Sequence, residues 1–184
     1  MTAAVFLDRD GVINENRDDY VKGWEEVCFL PGALEALARL AATPFRVLLI
    51  TNQSPIGRGI LTAGQVEATN RRLVEEIGAH GGRIDGIYYC PHCPDDGCDC
   101  RKPRPGLLLR AARELEIDLR HSYLVGDAIS DVEAGLAAGC RPIMVLTGLG
   151  QEQRTLLHQR GYHHVPVVRD VGEAVGLVLS QPTT

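Results

Sequence analysis

No apolar run in this 184-residue chain approaches the ~20 residues that a membrane-spanning helix needs, so no membrane partner is expected. The opening stretch Met1–Leu7 has no basic region leading into a long apolar segment, so no signal peptide is expected and a cytoplasmic location follows. Basic charge is not in excess either. Nineteen Lys and Arg face 24 Asp and Glu, a formal net charge of −5, which argues against binding nucleic acid through bulk electrostatics. A small anionic substrate stays open, because one local group of bases can hold a phosphate. Internal repeats, low-complexity tracts and interdomain linkers are absent, so residues 1–184 read as one domain, expected to be a monomer.

What is present alternates. Short Val-, Ile- and Leu-rich runs at 3–7, 46–50, 87–89, 123–125 and 142–146 predict strands, nearly continuous in apolar character as strands covered on both faces are. Between them, 32–42, 62–79, 105–116 and 130–138 predict helices. Thr62 with Gln65 fits a capping box, and Gly139 fits a helix C-cap. The tail from about Gln151 reads as two helices around a weak strand at 165–168. The expected fold class is therefore α/β with a mainly parallel sheet.

The polar residues sit where such a sheet binds ligands. Asp8, Thr51 and Asp127 each end an apolar strand, and ligands lie beyond the carboxyl ends of parallel strands. In Asp8-Arg9-Asp10-Gly11, one carboxylate could attack phosphorus and the other could move the leaving-group proton. Alone, such a pair is most often a solvated strand end. Thr51-Asn52-Gln53-Ser54 adds a hydroxyl and amides, and Arg101-Lys102 adds fixed positive charge for the negative charge that phosphoryl transfer spreads over three oxygens. Asp8 and Asp127 offer hard oxygens to Mg²⁺. Asp131 reads as a supporting residue or a cap of the following helix.

Four of six cysteines lie within eleven residues, in Cys90-Pro91-His92-Cys93 followed by Cys98-Asp99-Cys100. Soft ligands packed this densely point to tetrahedral Zn²⁺. Spacing alone permits Cys90, Cys93, Cys98 and Cys100, or a set with His92 in place of Cys93. Because Cys100 stands two residues before Lys102, a metal here would also fix that lysine.

The four phosphoryl-transfer segments, over about residues 3–150, resemble the haloacid dehalogenase superfamily of phosphatases. The resemblance implies a Rossmann-like three-layer sandwich with Asp8 as nucleophile and Asp10 as general acid and base. It implies that Thr51 and Lys102 stabilise the phosphoryl group, and that Mg²⁺ is held by Asp8, the Asp10 main-chain carbonyl and Asp127. Members often carry a cap domain. Here 42 residues separate Asp8 from Thr51 and 50 separate Thr51 from Lys102, already filled by predicted elements, so no separate cap is expected.

The run Tyr88-Tyr89-Cys90-Pro91-His92 with Cys98-Asp99-Cys100-Arg101-Lys102-Pro103 is similar to the heptose-bisphosphate and histidinol phosphatase group. That likeness implies Zn²⁺ on Cys90, His92, Cys98 and Cys100. It also implies a small phosphorylated sugar as partner: removal of the 7-phosphate of D-glycero-D-manno-heptose 1,7-bisphosphate, with histidinol phosphate or another small sugar phosphate as the alternative. Arg9, Asn52, Gln53, Ser54 and Arg101 would bind substrate, and Asn16–Asp19 would cover the sugar. A reading from another class is a non-catalytic zinc-binding interaction module. Release of phosphate, lost when Asp8 is replaced, would separate the two. His80, His121, His158, His163 and His164 read as surface positions, and Trp24 as a flap or core anchor.

Overall fold

The computed structural model describes residues 2–181; residues 1 and 182–184 of the expected domain lie outside that range. Six strands form one sheet: β1 (Ala4–Leu7), β2 (Arg46–Asn52), β3 (Gly86–Cys90), β4 (Tyr123–Gly126), β5 (Arg141–Val145) and β6 (Val167–Val168). Their order is β3-β2-β1-β4-β5-β6, and every pairing is parallel. Among the described residues seven α-helices accompany them: α1 (Ala33–Ala41), α2 (Ser54–Gly57), α3 (Ala63–Ala79), α4 (Gly106–Leu115), α5 (Ile129–Ala138), α6 (Gly150–Gln159) and α7 (Val171–Ser180).

The strands are apolar throughout because both faces are covered. On β1, Val5 and Leu7 join one core with Leu37 and Leu40 of α1, Leu73 of α3 and Val175 of α7. The alternate residues Ala4 and Phe6 join a second core with Leu48, Leu124 and, from α4, Leu107 and Leu108. Each fully buried leucine or phenylalanine contributes about 1.5–3 kcal/mol relative to an exposed one. The result is three layers, helix on sheet on helix, and among the described residues no separate cap domain. Trp24 packs against the first core, edge-on to Phe29 with Arg72 over its ring. The five histidines read as surface positions are all exposed. Among the described residues, no helix is long and apolar enough to cross a membrane.

Local signals mostly hold. The α3 capping box forms: Gln65 N–H donates to Thr62 Oγ1 at 3.2 Å, and Thr62 N–H donates to Gln65 Oε1 at 2.9 Å. Pro105 stands just before α4 rather than inside it. β2 runs two residues further than its apolar stretch, because Thr51 and Asn52 pair in register with Tyr89 and Cys90. The segment after it turns at once into α2, with Pro55 in its first turn. The expected tail is there, though β6 shortens to two residues.

Candidate active site

The strand order reverses at β1, and the two strands flanking that point, β1 and β4, end side by side. Asp8 follows β1 and Asp127 follows β4, so both enter the crevice that such a reversal opens. Asp8 N–H donates to the Val125 carbonyl at 2.9 Å, which fixes the chain as it leaves the sheet. An open cleft of about 420 Å³ lies over these strand ends; Asp8, Asp10, Thr51, Gln53, Lys102 and Asp127 line it.

Lys102 is buried at the centre. Its ammonium lies 3.0 Å from Asp8 Oδ1 and 2.5 Å from Asp131 Oδ1, and donates to the Ile50 carbonyl at 2.8 Å. Burial works to lower its pKa, but Asp131 and Asp8 outweigh that and hold the ammonium above the usual lysine range. Asn52, 50 residues away in sequence, clamps the Lys102 backbone. Its Oδ1 accepts Lys102 N–H at 3.1 Å, and its Nδ2 donates to the Lys102 carbonyl at 3.2 Å. Asp131 also caps α5, accepting Ala128 N–H on Oδ2 at 3.0 Å. It therefore supports the lysine and the helix together.

Asp127 accepts the Leu149 N–H at 2.8 Å, with two glycines packed over its carboxylate. A Cβ on Gly11, where φ is +86°, would fall 2.0 Å from Asp127 Oδ2, and one on Gly148 would fall 2.1 Å from it. Only glycine permits either approach.

One lysine serves three carboxylates here, and the imbalance shows. Burial, then the neighbouring acids, pushes Asp127 up to about 8. Burial likewise raises Asp8 to about 6 against the pull of Lys102. Asp8, Asp127 and Asp131 each offer an oxygen within 4.8 Å of the others. A buried, all-oxygen set with surplus negative charge fits a hard divalent cation such as Mg²⁺.

The Asp10 carboxylate is held from three sides. Arg9 forks onto it from Nε and Nη2 at 3.0–3.3 Å, Asn14 Nδ2 donates at 2.9 Å and Gln53 Nε2 at 3.0 Å. Gln53 Nε2 also lies 3.0 Å from Thr51 Oγ1. Arg9 has its remaining contact on Asn70 of α3, 2.9 Å away, and is buried. The guanidinium expected to meet substrate is thus engaged with Asp10 and Asn70. Asn14 and Asn70 were missed as site-building residues, because nothing in their local sequence shows the carboxylate or arginine they reach. Ser54 Oγ accepts from Arg101 Nη1 at 2.7 Å, and the same nitrogen lies 3.3 Å from the His92 carbonyl.

That last contact joins the cleft to a second cluster. Cys90, His92, Cys98 and Cys100 each present one ligand atom within 4.8 Å of the others. Five of their edges measure 3.3–3.6 Å, with His92 using Nδ1. A zinc tetrahedron with bonds of about 2.0–2.3 Å has edges of roughly 3.3–3.8 Å. The sulfurs are too far apart for a disulfide, whose S–S bond is about 2.05 Å. Cys93 lies outside the set; its N–H donates to Asp96 Oδ2 at 2.7 Å. Between the two ligand sets that spacing permits, the fold assembles the one containing His92.

An aspartate-bearing strand end, a second acid, a threonine, a buried lysine and a cluster of three carboxylates fit a phosphatase of the haloacid dehalogenase type. Residues 99–174 match the sequence profile described as HAD-hydrolase-like. The chain belongs to the D-glycero-β-D-manno-heptose-1,7-bisphosphate 7-phosphatase family. It is 47% identical over 146 residues to the Pseudomonas aeruginosa enzyme of that name, spanning 79% of this chain and 82% of that one. It is 43% identical to the Helicobacter pylori counterpart over 78% of this chain and 83% of that one. The crystal structure of D,D-heptose 1,7-bisphosphate phosphatase from B. bronchiseptica, complexed with magnesium and phosphate, superposes with a TM-score of 0.90 at 38% identity, covering 98% and 99% of the two chains.

Proposed function

We propose that residues 1–184 form a single phosphatase domain that removes the 7-phosphate of D-glycero-β-D-manno-heptose 1,7-bisphosphate. The observation that carries this reading is the junction of β1 and β4, where Asp8 and Asp127 come together and the buried Lys102 pairs with Asp8 and Asp131. An Asp8 carboxylate oxygen attacks phosphorus in line with the leaving O7. The phosphorus–O7 bond breaks, and protonated Asp10 delivers a proton to O7. The aspartyl-phosphate is then opened by water, whose proton returns to Asp10. Arg9, Asn14 and Gln53 hold the Asp10 carboxyl in place for both transfers. Lys102 and Thr51 face the transferring oxygens, so positive charge and a hydroxyl donor are in position before charge develops. Asp8, Asp127 and the Asp10 carbonyl would hold Mg²⁺, which supplies further positive charge and orients the phosphoryl group.

Ser54, Gln53 and Arg101 support a substrate-contacting edge beside the Cys–His loop. Asn52 acts on substrate through the Lys102 backbone. A steady-state screen against both heptose bisphosphate anomers, histidinol phosphate and fructose 1,6-bisphosphate tests the choice. The β-anomer is expected to give the highest kcat/KM. A preference of about tenfold or more for histidinol phosphate would overturn the assignment.

We further infer that Cys90, His92, Cys98 and Cys100 bind Zn²⁺ structurally, since four protein ligands leave no open position. Burial pushes the Cys90 thiol up to about 12, so loading the site must displace a tightly held proton. Cys93→Ser is expected to keep one zinc per chain by elemental analysis. His92→Ala should lower zinc content and, by loosening the loop whose His92 carbonyl meets Arg101, reduce kcat/KM by about tenfold or more. Full activity and thermal stability in chelator-stripped protein would exclude this role.

A further inference from the structure

A bisphosphate brings two anionic groups, and the acidic centre that processes one must repel the other. The second phosphate therefore needs its own cation, set back from Asp8, Asp127 and Asp131. Five basic side chains line the cleft: Arg9, Arg17, Arg58, Arg101 and Lys102. Four are committed. Arg9 is spent on Asp10 and Asn70, and Lys102 on Asp8 and Asp131. Arg17 pairs with Asp19 at 3.1 Å and faces Glu26 at 3.7 Å. Arg101 donates to Ser54 and the His92 carbonyl. Arg58 is exposed, and among the described residues its guanidinium has no ion-pair or hydrogen-bond partner.

Its backbone, by contrast, is fixed. Arg58 N–H donates to the Ser54 carbonyl at 3.0 Å and closes α2. The preceding Gly57 rests on the Cys–His loop so closely that a Cβ there would lie 2.8 Å from the Pro91 carbonyl and 2.9 Å from the Cys93 nitrogen. The same loop thus seats both the turn carrying Arg58 and, through His92, the Arg101 side chain. A rigidly based arginine with an unpaired, forked head at the mouth of an anion-processing cleft has the chemistry of a phosphate receptor.

We propose that Arg58 is the specificity residue that binds the non-reacting phosphate of the bisphosphate substrate. This rests on the bisphosphate reading above. The test compares phosphate release by the full-length enzyme from the heptose 1,7-bisphosphate and from the corresponding 7-monophosphate. Wild type should prefer the bisphosphate in kcat/KM. Arg58→Ala should raise KM for the bisphosphate about 10- to 100-fold with kcat little changed, and alter the 7-monophosphate far less. Arg58→Lys should recover part of the loss, because a point charge replaces the fork. If Arg58→Ala keeps the wild-type preference, or lowers both substrates equally, or if Arg17→Ala is what abolishes the preference, the proposal is overturned while the bisphosphate reading stands. A wild-type enzyme that favours neither form has no second phosphate subsite, and that result removes the bisphosphate reading and this assignment together.

Discussion

Asp8→Asn should reduce phosphate release from any monoester by at least about 10³-fold, because the amide cannot form the acyl-phosphate on which turnover depends. Stability should move the other way. The Asp8 carboxyl ionises near 3.8 in an unfolded chain, whereas burial raises it to about 6 in the fold. A carboxyl with a raised pKa binds its proton more tightly when folded, so the native state loses stability as pH climbs from about 4 to 6, and the loss is complete at pH 7. An isosteric amide carries no charge to desolvate. Its oxygen can still accept the Arg9 N–H, 2.8 Å from Asp8 Oδ1, and the Lys102 ammonium. In chelator at pH 7 the variant should therefore melt at or above the wild-type temperature. Phosphate release that survives in Asp8→Asn would show that Asp8 is not the nucleophile. A variant that loses its circular-dichroism signature would show instead that Asp8 holds the fold.

How much of this arrangement could be read from the chain depends on whether the signal is local. Asp8 and Asp127 were legible because each follows a run of buried apolar residues, and parallel strands deliver their carboxyl ends to one edge. The α3 start was legible because Thr62 and Gln65 complete their capping within one turn. Lys102 was placed by its Arg-Lys-Pro motif, but its burial was not, since a lysine is buried only when partners from elsewhere pair it. Those partners come from β1 and α5. The Asn52 clamp on Lys102 and the Asn70 contact with Arg9 span 50 and 61 residues, and no spacing rule encodes them. Arg9 shows the limit: beside two acids it reads as a substrate contact, and its fork onto Asp10 and reach to Asn70 are visible only in three dimensions. The four-residue α2 was missed for a related reason. A single turn has no period to detect, and its place is fixed by β3 and the Cys–His loop.

Lys102→Met should be the most damaging single change to stability, and it should lower turnover as well. The thioether chain fills most of the lysine's volume but leaves the Asp8 and Asp131 carboxylates, now 3.0 and 2.5 Å from the ammonium, without their cation. Breaking a buried pair by removing one member costs about 3–5 kcal/mol. At about 2–4 °C per kcal/mol for a chain of this size, Tm should fall by about 6–20 °C. Turnover should fall by about 10²–10³-fold, since a preorganised charge at the transferring oxygens is gone. The two losses have separable causes, and a second substitution distinguishes them. Asp131→Asn placed on Lys102→Met removes one stranded charge, while its amide oxygen can still accept the Ala128 N–H that caps α5. The double variant should regain a substantial part of the lost Tm and none of the lost activity, a coupling that a double-mutant cycle reads directly. A Lys102→Met protein that melts within about 1 °C of wild type would mean that the three carboxylates do not depend on this ammonium. The charge balance assigned to the junction of β1 and β4 would then be wrong.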